Sequence, residues 1–348
     1  MVRPTRLRPT PARVLALLAL VPGGGLVACS SGGTASSASP ASDAGTDGDG
    51  GPLGGRAEVT LSRVGAYDLQ VDSSRAYATT VGSSPSVVQI PLSGGKPTVL
   101  WSGSAQGLAV GAGAVYWTSG IEVDAGVTRG LVLSAPIGGG TTTTVATGGA
   151  LAGAIVTDAT SAYWLDSGPC ASAACGGTVL KAPLGGGDPV VVATTLGSPL
   201  SITLDGESVY WGTGDGRVMK APKAGGAPPT QLAFYQTSAG ALRVEGGSVY
   251  WSTGAGDLMK TPVAGGASTA IVTSSDSITA MTTDATDAYF ATTSTTGSGG
   301  RVEKVALAGG TPATIWASAG DTAYAIQVDA TRVYLATYYG GVLAISPK

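Results

Sequence analysis

The stretch SITLDGESVYWGTGDGRVMKAPKAGGAPPTQL, residues 201–232, decides the fold, because the same pattern can be laid over the chain seven times. Each copy begins with an apolar segment that ends near an acidic residue, followed by Val-Tyr-Trp or a close variant and a glycine-rich loop. A segment such as VMKAP, a Gly-Gly pair and a second apolar run complete the copy. A fixed period of this kind indicates a repeat architecture.

The tyrosine of each copy sets the period. These tyrosines are Tyr77, Tyr116, Tyr163, Tyr210, Tyr250, Tyr289 and Tyr334, and neighbouring ones lie about 43 residues apart on average. In the copy quoted above we expect four short strands, at residues 200–204, 208–212, 217–221 and 230–234. Four strands at this spacing are typical of one blade of a β-propeller.

Turn residues separate the expected strands. The Gly-Gly pair supplies the positive φ angles of a two-residue hairpin turn, which we predict between the third and fourth strands. The acidic residue after the first strand, such as Asp205, predicts a turn in which its carboxylate accepts backbone N–H groups. Nothing in the repeat predicts a helix.

The two ends of the repeat region complement each other. The seventh copy stops at its third strand, residues 342–345, whereas residues 57–65 (AEVTLSRVG) align with the fourth-strand segment 312–320 (PATIWASAG). We therefore predict that a strand at 58–62 completes the last blade and closes the ring. Closure removes exposed strand edges, which otherwise promote aggregation. The predicted fold is all-β, a seven-bladed β-propeller of four-stranded blades over residues 56–348.

The N-terminus reads as an export signal over residues 1–28. It has four arginines, then the apolar run VLALLALV, which is too short to span a bilayer. The sequence Leu-Val-Ala-Cys that ends at Cys29 resembles the lipobox of bacterial lipoproteins. The resemblance implies cleavage before Cys29, lipidation of its thiol and, because Ser30 follows, the outer membrane as the destination. Residues 29–55 are rich in Ser, Gly and Asp and are expected to form a flexible tether.

Composition excludes several kinds of chemistry. The chain contains no histidine, which removes Ser-His-Asp and Cys-His catalysis and histidine-ligated zinc. We expect no metal and no cofactor. Removal of the four signal arginines lowers the net charge from −3 to −7, and no basic patch for nucleic acid is present. Cys170 and Cys175 lie in one loop, and in an exported protein we expect them to form a disulfide.

Loop length varies on one side of the predicted disc. Connections between the second and third strands are long at residues 119–130, 165–177 and 292–300, and connections between copies also vary. In an up-and-down blade these two classes emerge on the same face, and variable loops on a rigid scaffold often carry function. We predict a ligand-binding face that carries eight residues, namely Glu122, Asp124, Arg129, Asp166, Phe234, Tyr235, Tyr338 and Tyr339.

The segments VYWTS, AYWLD, VYWGTGDGRVMKAP and VYWSTGAGDLMKTP resemble the YWTD class of β-propellers. They look still closer to bacterial lipoproteins with tandem VYWT...GxVxKxPxxGG repeats. The resemblance implies that the Tyr-Trp pair on the second strand packs between blades. It implies no activity, since that group has none established.

We interpret the protein as a membrane-tethered, non-enzymatic binding or scaffold module, monomeric, that holds a protein or glycan on its variable face. Two alternatives stay open at this point. One is a carboxylate- or metal-dependent lyase or hydrolase acting on a polysaccharide or lactone, for which three or more carboxylates would converge at the channel mouth. The other is an envelope-assembly factor, which would co-purify with outer-membrane barrel proteins.

Overall fold

The computed structural model describes residues 56–124, 127–149, 152–167, 176–195, 197–274, 276–294 and 299–348. Within these ranges every regular element is a β-strand, and the strands form seven antiparallel sheets of four strands each. The predicted seven-bladed propeller is therefore confirmed. The described residues contain no helix long and apolar enough to cross a membrane.

The first three blades follow the chain without interruption. Blade one comprises β2 (Ala66–Val71), β3 (Arg75–Thr80), β4 (Ser86–Pro91) and β5 (Thr98–Ser102). Blade two comprises β6 (Ala105–Gly111), β7 (Ala114–Asp124), β8 (Val127–Pro136) and β9 (Thr143–Thr147). Blade three comprises β10 (Ala152–Thr157), β11 (Ser161–Asp166), β12 (Thr178–Pro183) and β13 (Val190–Thr194).

The next three blades repeat the same order. Blade four comprises β14 (Pro199–Leu204), β15 (Ser208–Thr213), β16 (Arg217–Pro222) and β17 (Thr230–Phe234). Blade five comprises β18 (Ala239–Glu245), β19 (Ser248–Thr253), β20 (Leu258–Pro262) and β21 (Thr269–Val272). Blade six comprises β22 (Ser277–Thr283), β23 (Asp287–Thr293), β24 (Gly300–Ala306) and β25 (Ala313–Ser318).

Blade seven joins the two ends of the described chain. It comprises β26 (Ala323–Val328), β27 (Val333–Thr337), β28 (Val342–Ser346) and, from the start of the domain, β1 (Ala57–Ser62). Strand β1 runs antiparallel to β28, with Ala57 opposite Ser346 and Thr60 opposite Leu343. The predicted closure by the N-terminal strand is confirmed.

The apolar core lies between the blades. The tyrosine of one blade packs in the same buried cluster as the tryptophan of the next blade, as for Tyr163 with Trp211 and Tyr210 with Trp251. These side chains are at most 2% exposed. Each buried aromatic ring removes about 150–250 Å² from water, so the repeated pair makes a large contribution to the packing between those blades that have it. The packing role that the YWTD resemblance implied is thus observed.

The first strand of each blade is innermost, and successive first strands are neighbours around the central channel. One side of the propeller carries the connections between blades and the loops between the second and third strands of each blade. We call this side the loop face. The opposite side, which carries the turns after the first and third strands, is the turn face. Because β28 is a third strand and β1 runs antiparallel to it, Ala57 and Ser346 both lie at the turn face.

Two details of the connections differ from the sequence-based expectation. The Gly-Gly pairs do have positive φ, 72° at Gly225 and 81° at Gly226, but the connection from Pro222 to Thr230 is longer than a two-residue hairpin. The tight element within it is a turn closed by the bond from Gly225 N to Pro222 O, 2.9 Å.

The second difference lies in blade two. The segment 119–130, expected to be a loop, largely extends strands β7 and β8 into a hairpin arm. In this arm Glu122 pairs with Arg129 and Asp124 with Val127, after an irregularity in register that follows Ser119. An inserted segment long enough to pair with itself satisfies its own backbone groups, and for that reason it forms strands here.

Candidate ligand-binding mouth of the channel

A bulge at the same place in every innermost strand shapes the channel mouth. In β2 the register shifts between Ala66 and Asp68, and in β26 between Ala323 and Ala325. The other five innermost strands shift at the equivalent point. A bulge leaves one residue unpaired and re-aims its side chain. In blades one and seven the residues at the bulge are tyrosines, Tyr67 and Tyr324.

These two tyrosines meet two others at the loop face. The rings of Tyr67 and Tyr324 lie 5.1 Å apart, those of Tyr67 and Tyr338 6.0 Å, and those of Tyr338 and Tyr339 4.8 Å, each pair edge to face. We call these four residues the tyrosine cluster. Together with Asp321 and neighbouring threonines and glycines they line a cavity of about 280 Å³.

The tyrosine cluster is exposed although its aromatic rings are largely apolar. Tyr67 is 49% exposed, Tyr324 39%, Tyr338 38% and Tyr339 73%. None of the four hydroxyl groups forms a hydrogen bond with another described residue. A contiguous exposed aromatic surface with free polar groups is characteristic of a recognition site.

The loop that carries Tyr338 and Tyr339 is held on two sides. The carboxylate of Asp321 accepts the backbone N–H of Tyr339 at 3.3 Å and that of Gly340 at 2.6 Å. On the other side the loop packs against the connection from β1 to β2. A Cβ at Gly341, where φ is 87°, would collide with the carbonyl oxygen of Ser62. Closure of the ring therefore also positions part of this site.

Below the mouth, the channel contains two opposite charges. A cavity of about 330 Å³ is lined by residues of the innermost strands, including Asp68 of blade one and Arg243 of blade five. The carboxylate of Asp68 accepts the backbone N–H groups of Leu69 at 2.7 Å and Leu108 at 2.8 Å. Burial raises the pKa of Asp68 to about 6, although these two bonds and the charge of Arg243 act in the opposite direction.

The turn face satisfies its polar groups internally. In five blades the aspartate after the first strand accepts a hydrogen bond from the tyrosine of the second strand, as Asp205 does from Tyr210 at 2.6 Å. Its other oxygen accepts two backbone N–H groups, which confirms the predicted turn. Lys220 then lies over the Tyr210 ring, 5.5 Å from its centre. In these five blades the aspartate of the turn therefore has protein partners for both of its carboxylate oxygens.

The eight residues predicted for ligand binding do not converge. Glu122, Asp124 and Arg129 lie on the hairpin arm of blade two, where Arg129 is exposed. Asp166 ends β11 in blade three and is buried, 8% exposed. These four residues belong to different blades from the tyrosine cluster.

Two of the predicted aromatic residues lie at the end of blade four. Phe234 is 55% exposed, and the guanidinium of Arg217 lies over its ring, 5.6 Å from the centre. The hydroxyl of Tyr235 donates to Asp257 at 3.2 Å, and its ring packs edge to face on Trp251, 6.1 Å away. Of the predicted set, Tyr338 and Tyr339 alone belong to the tyrosine cluster.

Tyr67, Tyr324, Asp68 and Arg243 were missed by sequence reasoning. A signal for the last two is present, because each charged residue interrupts an otherwise uncharged position of the repeat. The two positions can be aligned in the sequence by their constant distance from the tyrosine of each copy, but the sequence does not show that their side chains line one cavity. The segments 1–28 and 29–55, Cys29, and the expected disulfide between Cys170 and Cys175 lie outside the described residues.

Architecture and channel mouth together define a seven-bladed β-propeller with a non-repetitive mouth. No protein-family model matches the chain. No curated protein matches it either.

Solved structures do share its fold. Virginiamycin B lyase from Staphylococcus aureus superposes with a TM-score of 0.63 at 13% identity, over 84% of this chain and 98% of that one. The WD40 β-propeller domain of Doa1 gives a TM-score of 0.62 at 9% identity, over 84% and 96%. YCF48 from Cyanidioschyzon merolae gives 0.60 at 13%, over 84% and 98%. At such identities the likeness concerns the fold alone.

Proposed function

We propose that the protein is a non-enzymatic binding module of the cell envelope that holds a protein or glycan ligand on its loop face. The observation that carries this proposal is the tyrosine cluster, four exposed aromatic rings around one cavity of about 280 Å³ at the channel mouth. Each ring offers an apolar face, and each hydroxyl remains free for a ligand. Tyrosine is enriched among the residues that dominate binding energy at interfaces.

The rigidity of the mouth supports the same function. Tyr67 and Tyr324 stand on bulged strands in the innermost ring, and Asp321 fixes the loop of Tyr339 through backbone hydrogen bonds. Little side-chain or loop entropy is then lost when a ligand binds. The rings present a preformed surface.

We further propose that a lipid on Cys29 anchors the chain to the membrane, with residues 29–55 as the tether and the outer membrane as the destination. The start of β1 at the turn face supports this arrangement. A tether that joins the domain there leaves the tyrosine cluster on the side away from its attachment.

The ligand proposal is tested by site-specific photo-cross-linking in cells that produce the full chain. A photoreactive phenylalanine replaces Tyr339 on the loop face or, as a matched exposed control, Glu207 on the turn face. We expect an adduct from position 339 and none from 207. Digestion of the adduct with protease or glycosidase distinguishes a protein from a glycan.

Two further variants locate the contact. Tyr67→Ala removes a ring of the cluster and should reduce the adduct at least fivefold, whereas Phe234→Ala, on the same face but another blade, should leave it unchanged. Equal adducts from positions 339 and 207, or an adduct indifferent to Tyr67→Ala, would contradict the proposal.

The anchor has its own test. Labelled palmitate should be incorporated into the wild-type chain and not into Cys29→Ala, which should leave the membrane fraction. Cys170→Ala, another cysteine variant, should keep the label. Retention of label in Cys29→Ala would remove the lipoprotein assignment while leaving the binding site untouched.

A further inference from the structure

The channel carries a pair of charges that the repeat does not require. At the level of Asp68 the other six blades have only small side chains, namely Gly107, Ala154, Ser201, Ala241, Ala280 and Ala325. The small residues leave open space beside the one carboxylate. A structural role common to all blades does not explain an acid in a single blade.

The position of Arg243, two residues further along the innermost strand than the position of Asp68, is also charged in one blade alone. At the level of Arg243 the other blades have uncharged residues, namely Gln70, Ala109, Val156, Thr203, Thr282 and Gln327. Among the described residues that line the cavity, Asp68 and Arg243 are the only charged ones. The cavity measures about 330 Å³, which lies at the lower end of small-ligand pockets, about 300–1,000 Å³.

The two charges do not neutralise each other by contact. Among the ion pairs of the described residues, none joins Asp68 to Arg243. One guanidinium N–H of Arg243 donates to the carbonyl oxygen of Leu242 at 2.8 Å, and its remaining donors have no acceptor among the described residues. Asp68 receives two backbone N–H groups and no cation. Both groups are half-buried, so both lose hydration without full compensation.

We propose that this cavity binds a small zwitterion of the amino-acid class, with its ammonium group at Asp68 and its carboxylate at Arg243. The guanidinium offers paired N–H donors that match a carboxylate. A simple anion would leave Asp68 unmatched and would be repelled by it. A simple cation would meet the same difficulty at Arg243. A molecule with both charges resolves both.

This inference is independent of the macromolecular ligand at the tyrosine cluster. The channel site would make the protein a sensor or carrier of a small molecule, and its occupant is small enough to lie below the mouth. Binding at one site can therefore be lost while the other is retained.

The test is isothermal titration of the full chain in detergent at pH 7.5 and fixed ionic strength. The probes are glycine, alanine, β-alanine and γ-aminobutyrate, compared with propionate and propylamine, each of which carries one charge. We expect at least one zwitterion to bind at least tenfold more tightly than either single-charge probe. The four zwitterions differ in the distance between ammonium and carboxylate, so the one that binds most tightly indicates the distance between Asp68 and Arg243 that a ligand has to span.

Variants assign the contacts. Arg243→Gln and Asp68→Asn should each weaken zwitterion binding at least tenfold, while Arg332→Gln on the turn face should not. If Arg243→Gln does not fold, Arg243→Lys keeps the charge but loses the paired donors and should weaken binding severalfold. Zwitterions that bind no better than propionate and propylamine, or folded channel variants with wild-type affinity, would overturn the proposal.

Discussion

The indole N–H of Trp316 donates a hydrogen bond to Oε2 of Glu58 at 3.0 Å and so joins residues 258 positions apart in the sequence. Trp316 lies on the outer strand of blade six, and Glu58 lies on β1, the outer strand of blade seven. This bond joins the closing strand β1 to blade six, whereas backbone pairing with β28 joins β1 to its own sheet.

Removal of this acceptor should weaken ring closure. Trp316 is buried, 3% exposed, so Glu58→Ala leaves its indole N–H without a partner. We expect a loss of about 1–3 kcal/mol in the free energy of unfolding, measured by urea denaturation. Glu207→Ala, an exposed turn residue, is the control and should change stability by less than about 0.5 kcal/mol. Equal effects of the two substitutions would mean that the bond contributes nothing.

The buried indole groups between the blades differ in their hydrogen bonding. Trp251 donates to the hydroxyl of Thr261 at 3.2 Å, whereas the buried indole N–H of Trp211 has no partner among the described residues. In blade four Ala221 occupies the position equivalent to Thr261. Thr261→Ala should destabilise by about 1–3 kcal/mol. Ala221→Thr supplies the missing acceptor and should offset part of that loss in the double variant. Thermal unfolding of the three variants measures this, and a destabilising Ala221→Thr would show that blade four has no room for the added atoms.

Acid should weaken the turns of the turn face. Burial acts to raise the pKa of Asp205, but its hydrogen bonds from Tyr210 and the backbone outweigh burial, and the folded pKa lies below the ordinary value. An acid with a lowered folded pKa stabilises the fold above its unfolded pKa, near 4, and loses that contribution as pH falls. Asp205→Asn should therefore lose less stability than wild type between about pH 4 and 2, measured by urea midpoints. Parallel curves would contradict this assignment.

Asp68, in the channel, should make the free energy of unfolding depend on pH in the opposite direction. Its folded pKa is about 6, above the unfolded value near 4, so the folded state binds more protons between these values. Stability should therefore fall as pH rises from about 4 to 6, by an amount on the order of 1–3 kcal/mol, and stay reduced above that. Asp68→Asn should flatten this part of the profile. An unchanged slope in the variant would assign it to another group.

Gly341 links ring closure to the site. Its φ is 87°, and a Cβ there would collide with the backbone of Ser62, so Gly341→Ala should displace the loop of Tyr338 and Tyr339. Gly113 is the matched control, since its φ is 77° with open space around the missing Cβ. Gly113→Ala should cost about 1 kcal/mol and leave cross-linking at position 339 intact, whereas Gly341→Ala should abolish it. Retained cross-linking in Gly341→Ala would mean that the loop tolerates the shift.

Much of the fold could be predicted from the sequence, because the same four-strand pattern occurs in seven copies. The strands expected at 208–212 and 230–234 correspond to Ser208–Thr213 and Thr230–Phe234, and the missing fourth strand of the last copy predicted closure. The period fixes strand order, and alternating apolar residues fix which side is buried.

The site could be predicted only in part. Variable loops indicated the loop face, and Tyr338 and Tyr339 do lie there. Tyr67 was not expected at the mouth, because the bulge that turns it outward depends on pairing with β3 and leaves no mark in the sequence. Arg243 and Asp68 come from blades far apart in the chain, and ring closure alone brings them to one cavity.

The adjacency of Ala57 and Ser346 has a practical consequence. An affinity tag, a fluorescent protein or a chip linkage attached after Lys348 would lie close to the point where the domain begins, at the turn face. Arrays built in this way would display every mouth in one orientation. Joining the two ends of the domain with a short peptide would also allow new termini to be opened in an exposed connection, so that a reporter domain could be inserted beside the channel mouth.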